Sequence, residues 1–213
     1  MHEVRNPVHA LDLHLRVLER ARDEEGRTAA VALCRGEIVA LRNVVDTFLD
    51  RARLDAAARE DTDVVAVIEG VLTRMRGVWP TVELDVRAPD GRHFRLDPRL
   101  LELAVANLVA NACQAISASG TGSRVDVAVR YDGHQVRLSV RDDGPGVPLA
   151  LADRLFAPFV TGRAAGIGLG LAVVRRAAQA HGGTARFVLT EGSGAQFDLQ
   201  FPAQVAHPRD ALA

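Results

Sequence analysis

Cysteine is scarce in this chain of 213 residues: only Cys34 and Cys113 occur. Each falls in an apolar helical pattern, so both read as buried free thiols of a reducing compartment. Neither has a Cys or His partner at ligand spacing, which excludes a zinc site built on them. Charge of one sign is also lacking. The 26 basic and 27 acidic side chains leave a formal net charge of −1, which argues against nucleic acid or an anionic membrane as the main partner. Charge interrupts the apolar stretches before the roughly 18 residues a membrane helix needs. The opening residues are charged where a secretion signal would be apolar. The expectation is a cytoplasmic chain with no membrane segment. Apolar residues, by contrast, make up 48% of the chain, which suffices for the core of one or two domains.

The apolar positions change rhythm along the chain. Val4, Val8, Leu11, Leu15 and Leu18 predict a helix over residues 4–22; Val31, Cys34, Ile38, Leu41, Val45, Phe48 and Ala52 predict a second from about Thr28 to Ala56. Both are alternating three- and four-residue seams with charge on the other faces. Asp23-Glu24-Glu25-Gly26-Arg27 between them reads as a short turn with a helix-ending glycine. An antiparallel hairpin of this kind leaves each seam half covered. Pairing two hairpins in a four-helix bundle covers it, so a homodimer is expected. Residues 55–62 read as a linker or the fraying end of the second helix.

Beyond them the patterns alternate. Residues 63–77 predict a helix, 82–86 and 93–96 short strands around Pro89-Asp90-Gly91, and 97–117 a helix with proline in its first turn. Val125, Val127 and Val129, then Val136, Leu138 and Val140, flank Asp132-Gly133 as a hairpin. Residues 169–180 predict a helix, and 185–189 and 196–201 the closing strands. The fold class is therefore α+β: a helical hairpin over 1–57, an α/β sandwich with helices on one face over 58–203, and a disordered tail over 204–213.

Chemistry concentrates in the second domain. Asn107 and Asn111 share one face of their helix, being four residues apart, and amide oxygens are hard ligands of the kind Mg²⁺ accepts. Asp142 ends a strand ahead of Asp143-Gly144-Pro145-Gly146. A carboxylate fixed there can accept a hydrogen bond from an adenine amine, and the glycines remove side chains where the purine must lie. Gly166, Gly168 and Gly170 precede a helix whose free amides favour phosphate. Between the glycine motifs, Phe156 and Phe159 can anchor a mobile segment and Arg163 can reach a phosphate. Each motif alone is equally explained by a turn or a close-packed backbone. Their order and spacing are far more specific, and together they describe a site for Mg-ATP.

Taken together, over roughly residues 2–202, these blocks resemble the sensor histidine kinases of bacterial two-component signalling, whose ATPase fold is shared with gyrase-type ATPases. His2-Glu3-Val4-Arg5-Asn6-Pro7 is similar to the family's phosphoacceptor block. Asn107 and Asn111 match its asparagine box, Asp142 to Gly146 its first glycine box, Phe156 and Phe159 its phenylalanine box, and Gly166 to Gly170 its second glycine box. Asn111-Ala-Cys-Gln-Ala and Phe156-Ala-Pro-Phe-Val-Thr161 are most similar to the nitrogen-regulation branch. The resemblance implies ATP and Mg²⁺ as cofactors, a lid over residues 149–166, and a nucleotide contact set that includes Thr161, Arg163 and Leu171. It also implies a dimeric bundle, a response-regulator receiver domain as partner, and a phosphatase role for Asn6. Arg163 stands where many relatives place lysine, which keeps the charge and changes the phosphate geometry. The chain starts one residue before His2, so a fragment or a late start is expected.

The seam supports His2 independently. With Val8 and Leu15 at the inward a positions, His2 falls at b, on the solvent side where a separate domain can reach it. His9 shares that position and lacks the following carboxylate; Glu3 can take up one imidazole proton while the other nitrogen of His2 attacks. Two rivals predict something else. A catalytically silent phosphotransfer scaffold predicts lost asparagines or a lost Asp-x-Gly-x-Gly, and a plain gyrase-type ATPase predicts no His-Glu block on a heptad hairpin.

Overall fold

A computed structural model describes residues 10, 12–19, 23–37, 57–88, 93–158, 160–161, 168–190 and 192–202. The chain divides into two compact units, residues 1–53 and 54–213.

In the first unit, helices α1 (residues 12–19) and α2 (residues 24–37) are described. The second begins earlier than the seam predicted. Asp23 accepts the Gly26 N–H at 2.7 Å, which is an N-terminal cap. Gly26 therefore lies in the first turn of α2 and does not end α1: an aspartate three residues before a glycine outweighed the glycine's turn tendency. Ala30 and Cys34 are buried, whereas the seam residues Leu15 and Val31 remain 44% and 38% exposed in one chain.

The second unit is a layered α/β domain. Its elements are β1 (Glu60–Asp63), α3 (Val64–Val78), β2 (Glu83–Arg87), β3 (His93–Leu96), α4 (Pro98–Ser119), β4 (Arg124–Tyr131) and β5 (Gln135–Asp142). A 3-10 turn η1 (Leu149–Arg154), α5 (Gly170–Ala180), β6 (Thr184–Val188) and β7 (Gln196–Pro202) follow. Five strands form a sheet in the order β2-β4-β5-β7-β6. Only β2 and β4 run parallel; the other pairs are antiparallel. Val125, Val127 and Val129 of β4 and Val136, Leu138 and Val140 of β5 point to one face, where they meet α4 residues such as Leu101, Val105, Leu108 and Val109. Each such fully buried side chain contributes about 1.5–3 kcal/mol. The opposite face carries Arg87, Arg124, Arg130, Arg137, Arg141 and Arg186. The predicted sandwich with helices on one face holds.

Three local readings change. Residues 60–63 are not linker but strand β1, antiparallel to β3. The four residues are too short and too charged to show alternation; only Thr62 is buried, its hydroxyl donating to the Leu96 carbonyl at 2.9 Å. The strands at 82–86 and 93–96 do not share a sheet, because β2 joins β4 while β3 joins β1. Finally, α4 is long and apolar enough by length and composition to cross a membrane, with half of that stretch buried in the domain. Arg99 and Glu102 fall in its first turns and leave an uncharged run through Ser119. The predicted tail lies outside the described residues.

Helix starts follow their caps. Asp63 accepts from the Val65 and Ala66 N–H groups at the head of α3. Asp97 does the same for Arg99 and Leu100 at the head of α4, with Pro98 as first helical residue. Each cap is worth about 1 kcal/mol.

Candidate nucleotide site

Helix α4 is the floor on which the predicted residues assemble. Asn107 and Asn111 are half-buried on it. The Asn107 side-chain NH₂ donates back to the Leu103 carbonyl at 2.8 Å, which fixes the direction of its oxygen. That oxygen faces the start of α5: a methyl group built on Gly170 would lie 3.0 Å from Asn107 Oδ1 and 3.5 Å from Asn111 Nδ2. Gly170 of the second glycine motif is thus held directly against the asparagine pair, across a gap in which even a methyl group would be a tight fit. Leu169 supplies no side-chain cap to α5, so the first-turn amides keep their capacity to meet an anion. Gly168 takes φ 72°, a left-handed conformation that favours glycine. Leu171 is half-buried against the core.

The carboxylate end is built differently. Asp142 is the last residue of β5 and 6% exposed. Its Oδ1 accepts the Gly144 N–H at 3.0 Å and the Ala195 N–H at 3.3 Å. Its own N–H donates to the Ala195 carbonyl at 3.0 Å. A methyl on Gly144 would come 2.9 Å from Asp142 Oδ1 and 3.3 Å from Ile116 of α4. Gly146 has φ 79°, and a methyl there would lie 3.0 Å from the Gly194 carbonyl. Cys113 is wholly buried one helical turn from Ile116, and burial, with a smaller push from Asp142, raises its thiol to about 11. It stays protonated and unreactive at neutral pH.

The loop at 192–195 is a part of this end that sequence reasoning missed. Gly194 has φ 97°, and a methyl there would collide with the Asp142 carbonyl oxygen. The signal was available as Gly192-Ser193-Gly194 just before a strand, but nothing local tied it to Asp142, 52 residues upstream.

Of the segment between the glycine motifs, η1 is followed by buried Leu155 and half-buried Phe156. The Phe156 ring meets Phe197 edge-on at 6.1 Å and 83°, which anchors that end to the sheet. Thr161 is exposed. His2, Glu3, Asn6, Phe159, Arg163 and Gly166 lie outside the described residues. Two shallow concavities of about 280 and 330 Å³ sit on the arginine-rich face of the sheet. The first is lined by Asp142, Asp143, Gly192 and Ser193 and so adjoins the carboxylate end, but neither reaches the asparagines or Gly170, and side-chain chemistry rather than hollowness identifies the site.

An asparagine pair facing the start of α5, with a buried carboxylate beside Gly144 where it packs on Ile116 further along α4, is a nucleotide-binding arrangement. The sequence profile of histidine kinase-, DNA gyrase B- and HSP90-like ATPases matches residues 96–205. The chain belongs to that ATPase family. Relatives that it matches within this family include histidine kinases. It is 31% identical over 208 residues to the signal transduction histidine-protein kinase AtoS of Escherichia coli, covering 94% of this chain and 33% of AtoS. It is 30% identical over 224 residues to the nitrogen regulation protein NtrY of Azorhizobium caulinodans, covering 99% of this chain and 29% of NtrY. The crystal structure of full-length ShkA in complex with AMPPNP is similar, with TM-score 0.69 and 30% identity over 96% of this chain and 45% of that one. The resemblance to sensor histidine kinases therefore holds over nearly the whole chain, and NtrY fits the nitrogen-regulation branch. The chain spans about a third of the length of these curated relatives.

Proposed function

We propose that the chain is the phosphoacceptor and catalytic portion of an ATP-dependent histidine kinase, which labels its own His2 and passes the phosphoryl group to an aspartate of a response-regulator receiver domain. The observation that carries this is the convergence of Gly170 on Asn107 and Asn111 in the middle of α4, with Asp142 fixed beside Gly144, which packs on Ile116 further along the same helix. ATPase relatives alone would explain the site. The His2-Glu3 block on a heptad seam adds an acceptor.

In this reading Asp142 accepts the adenine amine, while Gly144 and Gly146 leave room for the purine. The α5 amides, with Gly166, Gly168 and Gly170, hold the terminal phosphates; Thr161, Arg163 and Leu171 complete that end. The donor chemistry fits Mg²⁺: two side-chain amides face the phosphate-binding turn, and Mg²⁺ accepts few protein ligands beside phosphate and water. Asn111, with Asn107 beside it, would hold the ion. Bound there, it neutralises charge on the phosphates. Phe156 and Phe159 anchor the lid that excludes water. An imidazole nitrogen of His2 attacks the γ-phosphorus, the bond to the ADP oxygen breaks, and Glu3 takes the proton from the other nitrogen. Asn6 would orient water for hydrolysis of the partner's phosphoaspartate, the phosphatase activity.

Exposed Leu15 and Val31 support a homodimer, since a second hairpin would cover them. A cytoplasmic location goes with this reading because ATP is the donor. The test is incubation with γ-labelled ATP and Mg²⁺. Acid-labile, base-stable label on the wild type is expected, and its absence from a protein that binds ATP would overturn the kinase reading.

A further inference from the structure

The two helices of the phosphate end are joined a second time, at the side of the domain away from the nucleotide. His181 follows α5 as its C-terminal cap and is 2% exposed. Its Nδ1–H donates to the Ala177 carbonyl at 2.8 Å, and its Nε2 accepts the Asp97 N–H at 2.9 Å. These partners fix one neutral tautomer, because a carbonyl needs a donor and an N–H needs an acceptor. The ring lies against Phe201 of β7 at 5.2 Å.

Asp97, 1% exposed, has three tasks. Oδ1 caps α4 through the Arg99 and Leu100 N–H groups. Oδ2 accepts the Ala58 N–H at 3.0 Å and pairs with the Arg99 guanidinium at 3.1 Å. Its backbone N–H is spent on His181. Ala58 lies among the first residues of the second unit, just before β1.

We infer that His181 and Asp97 form a latch that makes His181 a positioning residue for phosphoryl transfer, coupling the nucleotide end of α5 to the head of α4 and to the chain segment entering the domain at Ala58. The physical basis is stiffness. Helix α5 has 11 residues, about 16 Å of rigid rod. Its first residue, Gly170, touches the asparagine pair, and its last turn is tied to Asp97, about three turns upstream of Asn107. A shift of α5 on closing over phosphate therefore pulls on Asp97, and through its carboxylate on Ala58. Burial, with a smaller contribution from Arg59, lowers the His181 pKa, opposed by Asp97 and the Ala177 carbonyl. The accepting nitrogen is thus kept available at neutral pH. The charged groups facing the ring are Arg59, Asp97 and, through Asp97, Arg99. The latch rests on the nucleotide-site reading above.

Three measurements test it. First, amide exchange of the peptide spanning residues 57–61 is followed in the full chain with and without AMPPNP. The latch predicts slower exchange with nucleotide; identical exchange in a protein that binds AMPPNP overturns it. This arm needs no phosphorylation, so it stands even if the kinase reading fails. Second, His181→Phe keeps a packed ring and removes the acceptor. Autophosphorylation kcat is expected to fall at least about tenfold with ATP KM within about threefold, as for misalignment without lost binding. Third, His181→Gln restores an acceptor at the Nε2 position and is expected to recover most of the rate. A folded Phe variant with wild-type kcat, or a loss confined to KM, would remove the positioning role. Should the Phe variant not fold, an impaired kcat in a folded Gln variant together with unchanged wild-type exchange decides against the latch.

Discussion

The two ends of the nucleotide site are built on opposite plans. At the proposed adenine end, Asp142 is buried at a strand terminus and its Oδ1 is held by two backbone amides, from Gly144 and from Ala195. At the phosphate end, Asn107, Asn111, Gly168, Leu169 and Gly170 are all half-buried, and Thr161 is exposed. The first plan fixes a recognising group before the ligand arrives, so little ordering is left to be done on binding. The second leaves the amides of α5 and the asparagines accessible to a highly charged ligand that brings its own counterion. In the proposed reading, selection of adenine is a property of the folded domain, whereas alignment of the terminal phosphate is completed by what binds there.

This contrast can be broken by mutation. The largest effect is expected from His2→Gln, which should abolish phosphoryl label while calorimetry reports unchanged ATP affinity. Label persisting on His9 would mean the acceptor has been misassigned. Gly170→Ala would place a methyl group 3.0 Å from Asn107 Oδ1. Displacing the phosphate end by a few tenths of an ångström is expected to cost about tenfold in transfer, while adenosine binds as before; a parallel loss of adenosine binding would show that the two ends are not separable.

Asp142→Asn sharpens the comparison from the other side. Loss of the charged acceptor is expected to weaken ATP binding by about 1.5–3 kcal/mol, roughly tenfold or more, with transfer at saturating ATP nearly preserved. Unchanged affinity in a folded variant would remove Asp142 from adenine recognition. Gly194→Ala probes the scaffold under that carboxylate. Its φ of 97° and its closeness to the Asp142 carbonyl are expected to lower stability by about 1–3 kcal/mol from backbone strain alone, read as a drop in thermal midpoint. The mildest test is amide exchange over residues 156–168 with Mg-ATP. Protection should rise least near Phe156, already seated on Phe197, and most towards Gly168; uniform exchange would argue against a closing lid.

The sequence marked candidate site residues by type and spacing, and the structure sets Gly170 against Asn107 and Asn111 and Gly144 against Asp142. Asn107 and Asn111 were legible because i, i+4 spacing places them on one face without reference to any other element. Asp142 was legible because strand alternation stops at it and a glycine turn begins. Gly194 and Ala195 were not, since their role depends on β7 pairing beside β5. Strand β1 was invisible for a similar reason: Glu60-Asp-Thr-Asp63 has no alternation, and only its partner β3 makes it a strand. Gly26 was misplaced because a glycine signals a turn more loudly than Asp23 signals a cap.

Local chemistry thus sufficed for periodicity, caps, turns and the residue types of a Mg-ATP site, because each is set by neighbours within about one or two helical turns along the chain. The tertiary structure alone decided the parallel pairing of β2 with β4, the seating of Gly170 on the asparagines, the backbone clamp on Asp142 and the His181–Asp97 tie. Those contacts join residues far apart in sequence. Whether they form depends on packing the whole core and closing long loops, which no short window of sequence contains.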